Sequence, residues 1–196
     1  MNKQAEHMRD ALIENRKSAN AAKESAEVAQ RTLEISQRAN LGIEAIRLKF
    51  PPRASPTEHT LDQLFASRIE LVIKNTGATE AKGFYFEMRV SIDGLDPDVK
   101  TPDPIVSHRG DLHAGSSRGT LTPELQQMFH RLHVQQAVTN GTLRVGGFVR
   151  YRNIFRETGY YIEYTSRFEP STFDFEISAE AMTDEEQQRR AQNSQG

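Results

Sequence analysis

The chain lacks cysteine and tryptophan altogether, and it also lacks any long hydrophobic run. Without cysteine there can be no thiol catalysis, no disulfide bond and no thiolate metal ligand. The apolar runs fall far short of the about 20 residues that a membrane-spanning helix needs. We therefore expect no transmembrane segment in this chain, although a longer native form could carry a membrane anchor.

An excess of charge of one sign is also missing, because 25 Lys and Arg residues balance 27 Asp and Glu residues. The two signs are interspersed, so no basic field favours nucleic acid or anionic lipid as a partner. The first residues, Met1-Asn2-Lys3, lack the apolar stretch of a signal peptide. We expect a cytoplasmic location if the chain is complete, and otherwise the soluble domain of a membrane-anchored protein.

Aromatic residues are missing from both ends of the chain, since all 10 Phe and 5 Tyr lie between Phe50 and Phe175. Only this central part can form an ordinary hydrophobic core. The composition predicts three regions. A helical region covers residues 1–41, a folded domain covers residues 42–178, and residues 179–196 form a flexible tail or a frayed helix.

The N-terminal region is rich in strong helix formers and contains neither Pro nor Gly before Gly42. Small or apolar residues recur with the spacing of a coiled-coil seam. The two seam positions read Ala5, Leu12, Ala19, Ala26, Leu33, Asn40 and Met8, Asn15, Ala22, Ala29, Ser36, Ile43. Alanine contacts bury little area, so we expect a helical stalk that self-associates weakly or packs along a partner. The alternative is a single exposed helix, and Gly42 is predicted to end it.

The central region shows the period-2 alternation of β-strands. The strongest pattern places five apolar residues on one face of a strand, namely Phe84, Phe86, Met88, Val90 and Ile92. Shorter patterns of the same kind surround Ile46, Leu71, Val149, Ile162 and Phe175. We predict a mainly β protein with an immunoglobulin-like antiparallel β-sandwich of six or seven strands, preceded by the long N-terminal helix.

One helix is predicted inside the sandwich domain. The sequence Thr122-Pro123-Glu124 offers an N-cap hydroxyl, Pro at the first helical position and an acid in the first turn. The buried stripe of this helix is predicted to consist of Leu125, Met128, Phe129 and Leu132. Asn140-Gly141 is predicted to end the helix. Residues 95–119, which precede it, are predicted to be irregular apart from one short strand at Ile105 and Val106.

Three segments together resemble a known family. The segment from Asn75-Thr76-Gly77 to Ala81 resembles the Asn-x-Gly-x-x-x-Ala signature of bacterial immunoglobulin-like domains, in which the chain crosses between sheets. With residues 32–40 and residues 149–155, this segment resembles uncharacterised bacterial membrane-anchored proteins. Members typically carry one or two transmembrane helices, a polar helix and a sandwich. This chain departs from them because it has no transmembrane segment, and the resemblance implies no catalytic residues.

Candidate chemical centres are weak in this sequence. His108, Asp111 and His113 cluster in a segment that is predicted to be a loop, but their spacing matches no zinc pattern. His130 and His133 lie three apart on the predicted helix, where surface or boundary positions are expected. Motifs for a nucleophile or a phosphate loop are missing. We predict that the protein is not an enzyme and that it has no catalytic residue, metal site or cofactor.

The best candidate for an interaction surface is the outward face of the late hairpin. It consists of Arg144, Phe148, Arg150, Arg152, Arg156, Tyr161 and Arg167. Arginine and aromatic residues are enriched at interfaces, and arginine also holds phosphate or carboxylate groups. The alternative is an ordinary solvated sheet face, with arginines paired to Glu163 across the strands.

These observations favour a non-catalytic protein-interaction or scaffold module, in which the helix is a spacer or stalk. The expected partner is a protein, or a second copy through the helix, and not nucleic acid. The alternative function is a sensor of a small anionic ligand or nucleotide that uses the Arg-rich hairpin. A hydrolase would need a cleft with converging acids of perturbed pKa, which a sequence cannot reveal.

Overall fold

A computed structural model describes residues 3–51, 61–96, 101–154 and 156–193. The chain divides into two compact units, Met1–Arg38 and Ala39–Gly196. The first unit is helix α1, which spans Lys3–Gln37. Its helical form follows from the Ala-rich composition without Pro or Gly. Side chains reinforce the helix, since Gln30 donates to Glu34 across one turn at 3.1 Å. A long N-terminal helix is therefore confirmed.

The predicted end of this helix at Gly42 is wrong, because α1 ends at Gln37. Gly42 instead pairs with Lys74 inside the first strand of the second unit. The prediction failed because glycine has two common positions. It is frequent just beyond the C-terminus of a helix, but it also occurs in a strand beside a bulge. A register shift between Ile43 and Ala45 marks such a bulge next to Gly42.

The second unit contains the remaining helices and strands of the described residues. They are β1 (Leu41–Lys49), α2 (Leu61–Phe65), β2 (Arg68–Asn75), β3 (Ala81–Ile92), β4 (Ile105–Leu112), β5 (Ser117–Leu121), α3 (Leu125–Met128), α4 (Arg131–Asn140), β6 (Leu143–Asn153), β7 (Arg156–Glu169), β8 (Asp174–Thr183) and α5 (Asp184–Asn193). All strand pairs are antiparallel.

The strands form a three-stranded sheet of order β1-β2-β5 and a five-stranded sheet of order β4-β3-β6-β7-β8. Apolar residues on the inner faces of both sheets form one core. On β3, the predicted alternation holds, since Phe84, Phe86 and Met88 are at most 1% exposed. Burying such large side chains contributes about 2 kcal/mol each. The prediction of a mainly β sandwich after a long helix is confirmed.

The strand count exceeds the predicted six or seven because β5 was not expected. Ser117–Leu121 has one buried residue, Thr120, so the segment lacks a readable apolar alternation. The segment around Asp111 was expected to be a loop, but it belongs to strand β4. Gly110 has a φ of 69°, which interrupts the extended backbone of β4. The pairing of β3 with β4 shifts register at this point. Polar strands at sheet edges give weak sequence signals because they bury little.

The predicted inserted helix is two helices, α3 and α4, separated at Phe129 and His130. His130 adopts extended backbone geometry and its ring accepts a hydrogen bond from the Leu132 backbone N–H, so it caps α4. The predicted buried stripe is right for Leu125 and Phe129, but Leu132 is 60% exposed. Because α4 begins as a separate helix after His130, Leu132 does not continue the buried face of α3. The predicted end at Gly141 is confirmed by its left-handed φ of 64°.

Candidate functional site

The outer face of the five-stranded sheet presents the predicted hairpin residues. Because successive side chains of a strand point to opposite faces, the burial of Val149 and Ile162 sends Phe148, Arg150 and Tyr161 outward. The strand register aligns Tyr85 of β3, Arg150 of β6 and Tyr161 of β7 in one row across the sheet. The topology therefore places side chains from three neighbouring strands at one spot.

Three aromatic rings meet on this outer face, and we call Tyr85, Phe148 and Tyr161 the aromatic cluster. The rings of Phe148 and Tyr161 stack, with 5.1 Å between centroids and 20° between planes. Tyr85 lies on the other side of Phe148 at 5.5 Å, tilted by 45°. All three residues are half-buried. Aromatic pairs of this geometry add about 1 kcal/mol beyond area burial, so the cluster is a rigid apolar surface outside the core.

A depression of about 630 Å³ borders the aromatic cluster, and we call it the arginine groove. The described residues that line it are Gly83, Tyr85, Phe148, Arg150, Tyr151, Arg152, Tyr161 and Gln187. Arg150 and Arg152 are exposed, and both lie on the same side of β6 because they are two residues apart. Among the described lining residues none is acidic, so the groove is cationic on one side and aromatic on the other.

A second depression of about 600 Å³ lies on the opposite side of Phe148. Its charges are mutually paired, since Arg144 bonds Asp93 at 2.6 Å and Arg89 bonds Glu87 at 2.6 Å. The pairing register sets Glu163 beside Phe148 on this side. The second depression is therefore lined by two such ion pairs.

Helix α5 forms one wall of the arginine groove through Gln187. The helix begins with a reciprocal capping box, in which Thr183 N donates to the Glu186 carboxylate at 2.7 Å and Glu186 N donates to Thr183 Oγ1 at 3.3 Å. The hydrogen bonds that the Thr183 N–H and the Thr183 hydroxyl donate to the Glu186 carboxylate hold the pKa of Glu186 below its usual range. The cap fixes where α5 starts, and so fixes the position of Gln187.

A second contact ties α5 to the sheet. Arg190 donates two hydrogen bonds to the Glu180 carboxylate of β8, at 3.0 and 2.5 Å, and the guanidinium lowers the pKa of Glu180. Met182 is 7% exposed although it is in register with outward-facing Tyr161. Residues 179–183, which were predicted to belong to a flexible tail or a frayed helix, belong to strand β8. The chain after residue 178 therefore helps to build the site.

A glycine lets β3, β6 and β7 approach closely behind the aromatic cluster. Gly147 has φ 153°, and a Cβ at this position would lie 2.0 Å from the backbone oxygen of Glu87. In the space that Gly147 leaves, the Tyr164 hydroxyl donates to that same oxygen at 3.1 Å. Burial and the Glu87 charge raise the pKa of Tyr164. Glycine inside a strand allows such a close approach of neighbouring backbones.

The hydroxyl of Tyr161 is also held in its protonated form. Burial raises its pKa, and the carboxylates of Glu163 and Glu87 raise it further, against a smaller opposite effect of Arg89. Tyr161 therefore offers a neutral O–H donor at the edge of the arginine groove. Its ring adds apolar surface, so one side chain supplies two kinds of contact.

Four of the seven predicted surface residues line the arginine groove, namely Phe148, Arg150, Arg152 and Tyr161. Arg144 lies in the second depression and is paired with Asp93. Arg167 donates to the backbone oxygen of Gly141 at 3.1 Å, so it stabilises the turn after α4. The side chain of Arg156 lies outside the described residues. The structure therefore brings four of the seven predicted residues together in one groove.

Two lining residues were missed by sequence reasoning. The alternation of β3 places Tyr85 on the face opposite Phe84 and Phe86, but its proximity to Phe148 depends on the pairing of β3 with β6. Gln187 was assigned to a flexible tail or a frayed helix, and the Thr183–Glu186 capping-box spacing that marks the helix start is readable in the sequence. The capping box would have predicted a helix start, but not the side of the sheet on which the helix packs.

The outer face of the three-stranded sheet provides a comparison within the same domain. Glu44 accepts hydrogen bonds from Lys74 at 3.0 Å and Ser117 at 2.8 Å, and these lower its pKa. Glu70 bonds Arg47 at 2.6 Å. This face has the cross-strand ion pairs of an ordinary solvated sheet. The five-stranded sheet differs from it by carrying an aromatic cluster outward.

The histidine candidates take structural positions. His113 lies 2.8 Å from Glu80, and Asp111 accepts hydrogen bonds from Gly83 N and Lys82 Nζ. The side chain of His108 lies outside the described residues. Within the part of the chain that the structure describes, no group of three or more His, Asp or Glu side chains could hold a metal ion. His130 caps α4 as described above.

Compared with models of known protein families and with curated proteins, the chain matches none of them. Among the described helices, none combines the length and apolar character needed to cross a membrane.

Proposed function

We propose that this protein is a non-catalytic interaction module whose recognition surface is the outer face of the five-stranded sheet. The observation that carries the proposal is the position of Phe148 between Tyr85 and Tyr161 on this outer face. The outer face of the three-stranded sheet carries cross-strand ion pairs instead. Rigid aromatic residues flanked by arginine are the side chains that dominate binding energy at protein interfaces. The partner in this proposal is another protein.

Helix α1 serves as a spacer or an oligomerisation arm in this proposal. Several of its apolar side chains are more than half exposed, including Met8, Leu12, Val28 and Ile35. A helix of this length gains most of its stability in water from packing, so exposed apolar residues favour association with a second copy or a partner helix. If the full chain is a monomer, and removal of residues 1–38 changes neither its stability nor its partners, this role is refuted.

The strand order supports the resemblance to immunoglobulin-like domains. Constant-type sandwiches of this kind place their first, second, fourth and fifth strands in one sheet and the third, sixth and seventh in the other. The order β1-β2-β5 beside β4-β3-β6-β7-β8 shares this division for six strands, whereas β4 pairs with β3 in the second sheet and β8 adds an edge strand there. The resemblance to membrane-anchored bacterial proteins, and hence a role close to a membrane, stays a prediction.

Pull-down with the intact chain tests the recognition surface. We expect Arg152→Glu, an exposed change in the arginine groove, to remove specific partners that the unaltered chain captures. Leu121→Ala is the matched control, because Leu121 is 47% exposed on the outer face of the three-stranded sheet. Partners that survive Arg152→Glu but are lost with Leu121→Ala would place recognition on the other sheet.

A second candidate function is the sensing of a small anionic ligand or nucleotide. The observation that favours it is the arginine groove, whose described lining holds two exposed arginines and no acid. Its volume of about 630 Å³ lies within the range of small-molecule sites. A thermal-shift screen distinguishes the two functions, because a ligand that binds only the folded state raises the melting temperature by mass action.

A further inference from the structure

Helix α1 exposes a row of large apolar side chains. Met8, Leu12 and Leu33 are each at least 50% exposed, and all three occupy the seam positions of the sequence pattern. At about 100° per residue they lie within about 60° of one another around the helix axis, so they share one face. Such a face gains stability by packing against another helix. The charges beside it indicate which helix this is.

Charged residues flank this face on one side, and their sign changes along the helix. They lie within about 40° of one another around the axis. They are Arg9, Arg16 and Lys23 in the N-terminal half and Glu27 and Glu34 in the C-terminal half. The other side of the face carries the uncharged heptad positions Ala11, Ser18, Ser25 and Thr32. One flank of α1 therefore holds both signs, one in each half.

An antiparallel pair of helices satisfies these charges, whereas a parallel pair does not. In a parallel coiled coil the two different flanks face each other, so the charged flank meets uncharged residues. In an antiparallel pair the same flank of both helices meets, and the N-terminal half of one lies beside the C-terminal half of the other. Arg9 and Arg16 are seven residues apart, as are Glu27 and Glu34. One register therefore places Arg9 beside Glu34 of the second copy. The same register places Arg16 beside Glu27, and two-fold symmetry repeats both contacts.

The same register suits the apolar face. It pairs one seam position with the other, so Leu12 packs against Ala29 of the second copy and a large side chain meets a small one. In a parallel pair each residue would meet its own copy. Four successive alanine layers would then lie between leucine layers that hold the helices apart, and the interface would contain voids. Packing and charge therefore favour the same orientation.

The charged side chains can reach each other in this register. Arg9 and Glu34 of the second copy differ by about 3 Å in height along the axis. Helical side chains lean towards the N-terminus of their own helix, so in an antiparallel pair these two lean towards each other. Glu34 also accepts a hydrogen bond from Gln30 at 3.1 Å within its own helix. A carboxylate has about four lone-pair sites, so this hydrogen bond leaves room for the arginine.

We propose that α1 is an antiparallel homodimerisation helix, whose partner is α1 of a second copy. Arg9 and Arg16 of each copy bind Glu34 and Glu27 of the other copy. The inference rests on the proposed role of α1 as an oligomerisation arm, and it names the partner and its orientation. Alanine contacts bury little area and exposed ion pairs are weak, so the dimer dissociates readily.

Sedimentation equilibrium of the full chain and of charge-reversed variants tests the ion pairs. We expect the unaltered chain to dimerise. The variants Arg9→Glu/Arg16→Glu and Glu27→Arg/Glu34→Arg should each associate at least about tenfold more weakly, because four attractions become repulsions. A mixture of the two variants should regain the affinity of the unaltered chain within about threefold, because every Glu again meets an Arg.

Lys17→Glu/Arg31→Glu is the matched control. It changes the net charge by the same amount as Arg9→Glu/Arg16→Glu, but both residues occupy the heptad position opposite the seam. It should leave the dissociation constant within about threefold. The proposal is overturned if the unaltered chain is a monomer, if the control weakens association as much as the flank variants do, or if mixing those variants restores nothing.

Disulfide cross-linking tests the orientation, because the chain has no cysteine of its own. Under mild oxidation, Leu12→Cys and Ala29→Cys chains of different mass should cross-link to each other. Leu12→Cys alone should not cross-link, since its two copies lie about 25 Å apart along the axis, far beyond disulfide reach. Cross-linking of Leu12→Cys with itself would show a parallel pair, which overturns the inference while the oligomerisation role stands. If the chain is a monomer but loses partners on removal of residues 1–38, the inference falls and α1 remains an arm for a different helix.

Discussion

The side-chain nitrogen of Asn75 donates a 3.0 Å hydrogen bond to the backbone oxygen of Leu112, and so joins the two sheets of the sandwich. The same nitrogen donates to Thr79 O at 2.7 Å, and the side-chain oxygen accepts from Gly77 N and Asn40 N. Asn75 is fully buried, and its side chain uses both donors and accepts two hydrogen bonds. The Asn-x-Gly motif of the sequence is therefore a structural hub.

Replacing this hub should destabilise the domain strongly. We expect Asn75→Ala to lower the free energy of unfolding by about 3 kcal/mol, because several buried backbone groups lose their partners at once. Urea denaturation followed by circular dichroism measures the change. Asn40→Ala is the control, since the Asn40 side chain is exposed and its backbone N–H remains, and it should cost under about 1 kcal/mol. Equal losses in both variants would contradict the role of the buried amide.

Gly147 should tolerate no side chain. We expect Gly147→Ala to cost about 3 kcal/mol or more, because its Cβ would overlap the Glu87 backbone oxygen and φ 153° strains an L-residue. Gly146→Ala is the neighbouring control, since its Cβ would lie 3.3 Å from the nearest atom, Tyr164 O, and its cost should be under about 1 kcal/mol. Thermal unfolding of both variants gives the comparison. A Gly147→Ala protein as stable as Gly146→Ala would show that β3 and β6 can separate without cost.

Tyr164 should make the domain sensitive to alkali. Its pKa is raised in the folded state, chiefly by burial, from an ordinary value of 10.0. The unfolded chain therefore ionises first, so this contribution to stability is complete below pH 10 and is lost as the pH rises above it, by at most about 1.4 kcal/mol per pH unit. Urea denaturation at a series of alkaline pH values should show a shallower decline for Tyr164→Phe than for the unaltered chain. Parallel declines in the two proteins would exclude Tyr164 as the source.

Alternation of buried side chains made much of the sandwich predictable. Every second residue is buried from Phe84 to Val90 on β3 and from Ile162 to Phe168 on β7, which leaves a clear pattern in the sequence. Strand β5 has no such pattern in its sequence, because Thr120 is the one buried residue of Ser117–Leu121. The strand order was also out of reach, since the pairing of β3 with β6 joins segments far apart in sequence. Local pattern reveals a strand, but not its neighbour.

In the candidate site, too, the sequence reveals which face of a strand a residue occupies, but not which residues of other elements lie beside it. Alternation predicted that Phe148, Arg150 and Tyr161 share an outward face, because their neighbours are apolar. It could not distinguish Arg152 in the groove from Arg144, whose pairing with Asp93 depends on the approach of β3. Gln187 reaches the groove only because the chain after β8 turns back over the sheet. Contacts between strands and helices therefore decide which arginines line the groove.

The capping box of α5 should control the order of that helix without affecting the sandwich. We expect Thr183→Ala to weaken α5 by about 1 kcal/mol, because Glu186 N loses its acceptor and an isolated ten-residue polar helix is marginal in water. Hydrogen exchange should then speed up at the backbone amides of α5 and remain unchanged in β6. Thr172→Ala is the matched control, since its exposed hydroxyl makes only a 3.5 Å contact with Glu169 O. Unchanged exchange in α5 would show that the Arg190–Glu180 ion pair alone holds the helix, whereas faster exchange throughout β6 would show that α5 and the sheet unfold together.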